Sequence, residues 1–209
     1  MIKKKFREES DSMGQMSVPK DALYGAQTAR AVENFPISKL RFNRSFIEAL
    51  GVIKFSAAKT NLSLKLISKD VGNSIMKAAN EVISGKHDSE FIVDIFQTGS
   101  GTSSNMNANE VIATLANKFI KGKAKVHPND HVNLCQSSND VIPTAMYISV
   151  YSLILNSLIP NLKILEKELS LKARKFDKIF KIGRTHLQDA TPITLGQEFE
   201  GYSSMVSKS

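Results

Sequence analysis

The chain contains no tryptophan and only one cysteine, Cys135, among its 209 residues. A single thiol excludes a framework of internal disulfides and is typical of a reducing compartment, so we expect a cytoplasmic protein. The amino terminus lacks the apolar segment of a signal peptide. We also expect no membrane partner, because no apolar run is predicted to approach the roughly 18 residues of a membrane span. Aromatic residues make up only 7% of the chain, so aliphatic side chains must fill most of the core.

Acidic residues are in deficit, with 20 Asp and Glu against 28 Lys and Arg, which gives a formal net charge of +8. Such an excess can serve nucleic acid, a membrane surface or an anionic small molecule. Apart from Lys3–Lys5 and residues 121–125 the lysines are scattered, and arginines do not alternate with aromatic residues. A solvated basic surface explains this pattern, and we expect no nucleic-acid partner.

Hydrophobic periodicity predicts a chain of helices. Residues 1–44 read as irregular, and we found no strand-rich region. Helices are predicted from Ser45, from Ser68 to about Ile83, after Asn105, from about Val141 to Phe176, and from an N-cap and first helical position at Thr191-Pro192.

These elements predict an all-α fold with two parts. Residues 1–139 would form an amino-terminal helical domain, and residues 140–209 would form the first part of a long-helix bundle. The last predicted helix has no stop signal before Ser209, so we expect the chain to be truncated relative to a complete enzyme.

Three polar segments each lead into a helix: residues 97–105, 127–140 and 183–191. Helix amino termini present unpaired N–H groups and a partial positive charge, and hydroxyl and amide side chains add neutral donors. This combination suits an anion with carboxylates at both ends. The alternative is that these residues are ordinary helix caps, and composition alone favours it.

Specific sequence motifs favour the binding interpretation. The segments that carry them are Gly99-Ser100-Gly101-Thr102-Ser103-Ser104-Asn105, His127-Pro128-Asn129-Asp130, Ser137-Ser138-Asn139-Asp140 and Thr185-His186-Leu187-Gln188-Asp189. In this order they resemble the fumarase/aspartase superfamily, and the chain resembles the amino-terminal part of a class II fumarase. The resemblance extends over essentially the whole chain from about Asp11.

The resemblance implies a role for each motif. His186 would donate or accept a proton. An imidazole can do this near neutral pH because its unperturbed pKa is about 6.5. Substrate carboxylates would be bound by Ser100, Gly101, Thr102, Ser137, Ser138, Asn139 and Thr185. A second anion site would be formed by His127, Pro128, Asn129 and Asp130. For His186 and His127 the alternatives are a structural histidine and an ordinary surface residue.

Two enzymes of this superfamily compete as interpretations. Ser138 and His186 match the fumarase pattern, whereas aspartate ammonia-lyases typically carry threonine and glutamine at these places. A leaving hydroxide benefits from a proton donor, while an ammonium group leaves already protonated. We therefore expect fumarate hydratase, a tricarboxylic acid cycle lyase, with aspartate ammonia-lyase as the alternative.

The family's flexible serine loop, which supplies the base, does not occur in this sequence. We therefore expect the 209-residue chain to be inactive alone, and a non-catalytic fragment or pseudoenzyme remains a third interpretation. The resemblance further implies a homotetramer with dicarboxylate substrates. His127, Asp130 and His131 could suggest a metal, but no further ligand cluster accompanies them. We expect neither metal nor cofactor, as in the metal-independent class.

Overall fold

The computed structural model describes residues 6–120 and 124–209; the Lys3–Lys5 cluster and residues 121–123 lie outside the described part. Helices predominate, which confirms the predicted class, and two short antiparallel hairpins are added to them. By its contacts the chain divides between Val150 and Tyr151 into two compact units. The boundary predicted between residues 139 and 140 stays a prediction.

The first unit begins with a hairpin of β1 (Phe6–Asp11) and β2 (Gly14–Pro19), followed by α1 (Ala26–Asn34). The expectation that residues 1–44 are irregular was therefore wrong for this segment. Each strand has only six residues, and Gly25 caps α1 without a side chain, so neither element has a strong sequence signal.

A buried carboxylate explains why α1 starts where it does. Both Glu110 oxygens accept backbone N–H groups of the first turn, from Gly25 at 2.8 Å, Gln27 at 3.0 Å and Thr28 at 3.1 Å. A side chain at position 25 would come within 2.9 Å of the same carboxylate, so a larger residue there would displace the Glu110 side chain. Glu110 thus acts as a helix cap from a distant part of the chain.

Helices α2 (Arg44–Ser63), α3 (Lys69–Ile83) and α4 (Thr102–Phe119) pack in succession around the core of this unit. The predicted start and end of α3 are confirmed, with Ser68 as its N-cap. The N-cap of α2 is Asn43 rather than the predicted Ser45, because the Asn43 side chain reaches the amide of Phe46. The core is aliphatic, as the composition predicted; its members include Leu50, Ile75, Val82, Val111 and Ile112.

The predicted long helix is confirmed. It consists of α5 (Ser138–Leu153), a π-helical turn (Ile154–Leu158) and α6 (Ile159–Lys175), which are continuous in the backbone. The wide turn ends two residues before Pro160, whose ring cannot follow a regular α-helical turn. By length and composition alone this helix could cross a membrane. The prediction that no apolar run approaches that length was wrong. The polar residues that interrupt the apolar ones between positions 141 and 162 carry no charge.

In the second unit α6 packs against α7 (Leu195–Lys208), and a hairpin of β3 (Phe180–Thr185) and β4 (Gln188–Thr194) joins them. The prediction that Thr191-Pro192 opens the last helix was wrong, because both residues lie in β4. The N-cap is Thr194, which forms a reciprocal capping box with Gln197. Thr191-Pro192 and Thr194-Leu195 both resemble helix starts locally, and only the second provides the partner that this box needs.

Candidate active site

The first predicted carboxylate-binding loop ends at Gly101, which is the N-cap of α4. Gly101 has φ of 69°, a left-handed conformation that favours glycine. A Cβ there would lie 2.8 Å from Cγ1 of Ile142, so the loop is seated directly against α5. On either side of Gly101, the hydroxyls of Ser100 and Thr102 are exposed and 3.0 Å apart. The loop therefore presents two hydroxyls beside the start of a helix.

The second predicted segment forms the start of α5. The carbonyl of Ser137 accepts the amides of Asp140 and Val141, and its hydroxyl accepts the amide of Asn139 at 3.3 Å. Ser137 and Asn139 are exposed, and Ser138 is half-buried. Such a helix start offers backbone N–H groups and hydroxyls to an anion.

A side-chain bridge joins the two helix starts. The Asn105 amide nitrogen, one turn into α4, donates to the Ser138 hydroxyl at 3.2 Å. Since that hydroxyl accepts a hydrogen bond from the protein, its own proton is free to be donated to a ligand. Asn105 is 1% exposed, and its amide oxygen has no partner in the described part of the chain. The structure thus brings together five of the predicted residues: Ser100, Gly101, Thr102, Ser137 and Ser138, with Asn139 next to them.

Beneath this site lies a polar group that the sequence did not suggest. Lys54 of α2 is fully buried, and its ammonium nitrogen donates to Asn133 Oδ1 at 3.0 Å and Gln136 Oε1 at 2.9 Å. Asn133 Oδ1 also accepts from Asn105 at 3.1 Å. Burial lowers the pKa of Lys54 to about 7, because removing water disfavours the charged form. A lysine between apolar neighbours gives no sequence signal that separates it from a surface lysine.

The predicted second anion site forms a separate turn. His127 precedes a π-helical turn (Pro128–Val132), and its Nδ1 lies 3.2 Å from the Asp130 amide and 3.1 Å from Asp130 Oδ2. A neutral imidazole would accept from the amide, and a protonated one would donate to the carboxylate. His127, Asn129 and Asp130 are exposed.

A cavity of about 1070 Å³ opens beside this turn, lined by His127, Pro128 and Asn129. Lys125 contributes a cation to its wall, whereas Glu9, Asp11 and Glu110 contribute carboxylates. All three carboxylates already have partners: Glu9 pairs with Arg7, Asp11 pairs with Arg30, which lowers the Asp11 pKa, and Glu110 caps α1. Space for a small anion is present, but the wall is not uniformly basic.

His186 and Thr185 belong to the second unit. Thr185 is the last residue of β3 and pairs with Gln188, and the two-residue turn between them consists of His186 and Leu187. Both turn residues have positive φ, 50° and 62°. This is the geometry of a type I′ turn, which normally uses asparagine or glycine. His186 is exposed, and Leu187 is 96% exposed.

The positive φ angles of His186 and Leu187 strain the backbone of this turn. A residue other than glycine in the left-handed region costs on the order of 1 kcal/mol or more. A strained conformation at a predicted proton-transfer residue motivates a functional hypothesis.

For metals, the described ranges 6–120 and 124–209 contain no group of three or more His, Cys, Asp or Glu side chains arranged to hold an ion.

Comparisons with known proteins agree with this picture. A family model described as "Lyase" matches residues 14–209. The class II fumarate hydratase of Halobacterium salinarum is 56% identical over 206 residues, covering 97% of this chain and 44% of the relative. An aspartate ammonia-lyase from a Bacillus species is 52% identical, covering 97% of this chain and 44% of the relative.

Solved structures give the same result. The class II fumarase of Schistosoma mansoni superposes with a TM-score of 0.92 at 43% identity, covering 98% of this chain and 44% of that chain. A protein from Brucella melitensis, described as "fumarate lyase:delta crystallin", gives a TM-score of 0.91 at 43% identity, covering 98% and 49%. The chain spans less than half the length of these relatives. It belongs to the lyase family, and the resemblance to class II fumarases is confirmed.

Proposed function

We propose that the full-length protein, meaning the product of the complete reading frame, is a class II fumarate hydratase that interconverts fumarate and L-malate in the tricarboxylic acid cycle. The observation that carries this proposal is the meeting of two helix starts, at Gly101 and Ser138, joined through Asn105. It is supported by relatives that bear the name fumarate hydratase class II.

The helix starts supply the chemistry that a carboxylate needs. Backbone N–H groups and the Ser100, Thr102 and Ser138 hydroxyls are neutral donors, so they bind an anion without placing a competing charge in the site. Because they lie at the starts of helices that pack in the core, these donors are held in place before substrate arrives. Thr185 would add a further hydroxyl from the hairpin.

In this proposal the reaction removes a proton from C3 of malate and then breaks the C2–O bond, so that the hydroxyl leaves as water. His186 supplies, through a bound water, the proton that turns the leaving hydroxyl into water, while the carboxylate donors hold the substrate. The base for C3 is the serine of the family loop that is missing from this sequence. The 209-residue chain is therefore proposed to be inactive as a hydratase by itself.

Aspartate ammonia-lyase remains the second candidate, because a relative with that name is 52% identical to this chain. Ser138 and His186 favour the hydratase, since both match its motif as set out above. Both enzymes bind a dicarboxylate, so the helix starts alone do not distinguish them.

Assembly is proposed to be a homotetramer built on the long helix. Its exposed apolar residues include Met146, Tyr147, Val150, Tyr151, Leu158, Ile164 and Leu165. Apolar exposure on this scale is characteristic of an interface rather than of a free surface. Leu153 of the same helix is also exposed, and Leu162 is half-buried. We propose a cytoplasmic location and no resident metal or cofactor.

The proposal is tested with purified full-length protein and two parallel assays. One follows fumarate consumption in water, and the other follows ammonia release from L-aspartate on the same preparation. We expect hydration without deamination. Deamination of aspartate without hydration of fumarate would reject the hydratase in favour of the ammonia-lyase, and absence of both would favour a pseudoenzyme.

A further inference from the structure

Among the described residues, Lys54 has the largest fully buried side chain. Charged side chains are almost never fully buried unless they are paired. In the described part of the chain its ammonium group meets two amide oxygens, of Asn133 and Gln136, and no carboxylate. Replacing a buried charge together with its partners by apolar groups of similar volume is often neutral or stabilising, so stability alone gives a weak reason for a lysine at this position.

The two acceptors belong to one tight turn, residues 133–137, which ends at the N-cap of α5. Within it Gln136 donates to the carbonyls of Val132 and Leu134, and Asn133 donates to the carbonyl of Gln136. Cys135 adopts a positive φ of 59°, which is unfavourable for a residue other than glycine. An otherwise strained turn is therefore held by amide side chains, and both amide oxygens are oriented by Lys54.

A continuous chain of hydrogen bonds leads from this ammonium group to the candidate active site. Lys54 donates to Asn133 Oδ1, Asn105 donates to the same oxygen, and Asn105 also donates to the Ser138 hydroxyl. The distances along the chain are 3.0, 3.1 and 3.2 Å. The orientation of Asn105, and with it the direction of the Ser138 hydroxyl, thus depends on the oxygen that Lys54 fixes.

We propose that Lys54 is a positioning residue of the active site, which holds the turn of residues 133–137 and, through Asn133 and Asn105, sets the Ser138 hydroxyl for binding a substrate carboxylate. The inference rests on the proposed function. Lys54 does not touch the substrate in this proposal. When it is protonated, the Lys54 ammonium group also attracts the substrate carboxylate.

The experiment measures fumarate hydration by full-length Lys54→Met and the matched control Lys59→Met, which removes an exposed lysine from the same helix. For Lys54→Met we expect the KM for fumarate to rise about tenfold or more while kcat changes less than about threefold, because carboxylate binding in the ground state is lost. The control should match the wild type in both constants.

A purely structural role gives a different result, because partial unfolding lowers the active fraction and hence kcat but leaves KM unchanged. An unchanged KM in folded Lys54→Met therefore overturns the inference. If that variant does not fold, Lys54→Gln, which keeps a polar donor without the charge, is measured by the same criterion. Failure of both variants to fold assigns Lys54 to stability and also overturns it. Absence of hydration by the wild type would instead reject the proposed function.

Discussion

At Ser138 the protein holds a hydroxyl by its oxygen and leaves its proton free, because Asn105 donates to it from the neighbouring helix. The His186 side chain, by contrast, lies at the protein surface. The imidazole stands exposed at a strained turn, in a conformation that the backbone adopts at a cost. In the proposed homotetramer these two residues need not come from the same chain.

The catalytic assignment of His186 is tested by His186→Asn in the full-length protein. Loss of a general acid–base group removes about a hundredfold or more from the rate, so we expect kcat for malate dehydration to fall by at least that factor. Steady-state kinetics with malate measures it. The matched control is His87→Asn, since His87 pairs with Glu81 and is given no role. Near-normal turnover of His186→Asn would contradict the assignment.

Sequence alone identified the motif residues but not the groups that hold them. Ser100, Ser137 and His186 were recognised because they belong to sequence motifs that occur in a fixed order, and such motifs are visible without a structure. Lys54 lies some eighty residues before Asn133 and Gln136, and Glu110 caps a helix that starts at Gly25. Such contacts depend on tertiary packing, which no local pattern encodes.

At the scale of elements, the long and strongly periodic helices were predictable, and the short ones were not. α3 has a clear N-cap at Ser68 and a stop near Gly85, where φ is 80°. The β1–β2 hairpin has six-residue strands, which offer too few alternations to be distinguished from a loop. At Thr191-Pro192 a good local helix start was overridden by pairing within the β3–β4 hairpin.

The approach of α4 to α5 is tested by Gly101→Ala. The added Cβ would lie within 3.0 Å of Ile142 and would occupy a left-handed conformation. We expect a loss of roughly 1–3 kcal/mol of stability, together with a higher KM for fumarate. Thermal unfolding and steady-state kinetics of the full-length protein measure the two effects.

The control for this change is Gly99→Ala, two residues earlier in the same loop. A Cβ at position 99 meets no atom within 4 Å. We expect little change in either stability or KM. Equal effects of the two alanines would show that loop flexibility, and not the contact with α5, is what matters.

At the scale of the whole molecule, the feature that matters most is the exposed apolar surface of the long helix. Tyr147 is 79% exposed and Ile164 is 61% exposed, and residues 141–162 of this helix include no charged side chain. Burying this surface between subunits would contribute on the order of 25 cal/mol per Å² of apolar area. The helix thus links the fold of one chain to its proposed assembly.

For the 209-residue chain by itself, this exposure has a measurable consequence. We expect the isolated chain to associate through the helix or to aggregate, and to show no hydration of fumarate. Light scattering of the purified chain and an activity assay measure both. A monomer with little binding of an apolar-surface dye would contradict the packing argument, and measurable hydration would contradict the need for the missing loop.

The most direct test of the account is the initial rate of fumarate hydration by the full-length protein before and after exhaustive treatment with EDTA. The proposed chemistry relies on helix starts, hydroxyls and His186, so we predict that malate forms at the same rate in both samples. Failure to form malate in either sample would contradict the hydratase. A loss on chelation that a divalent ion or iron–sulfur reconstitution restores would contradict the metal-independent mechanism.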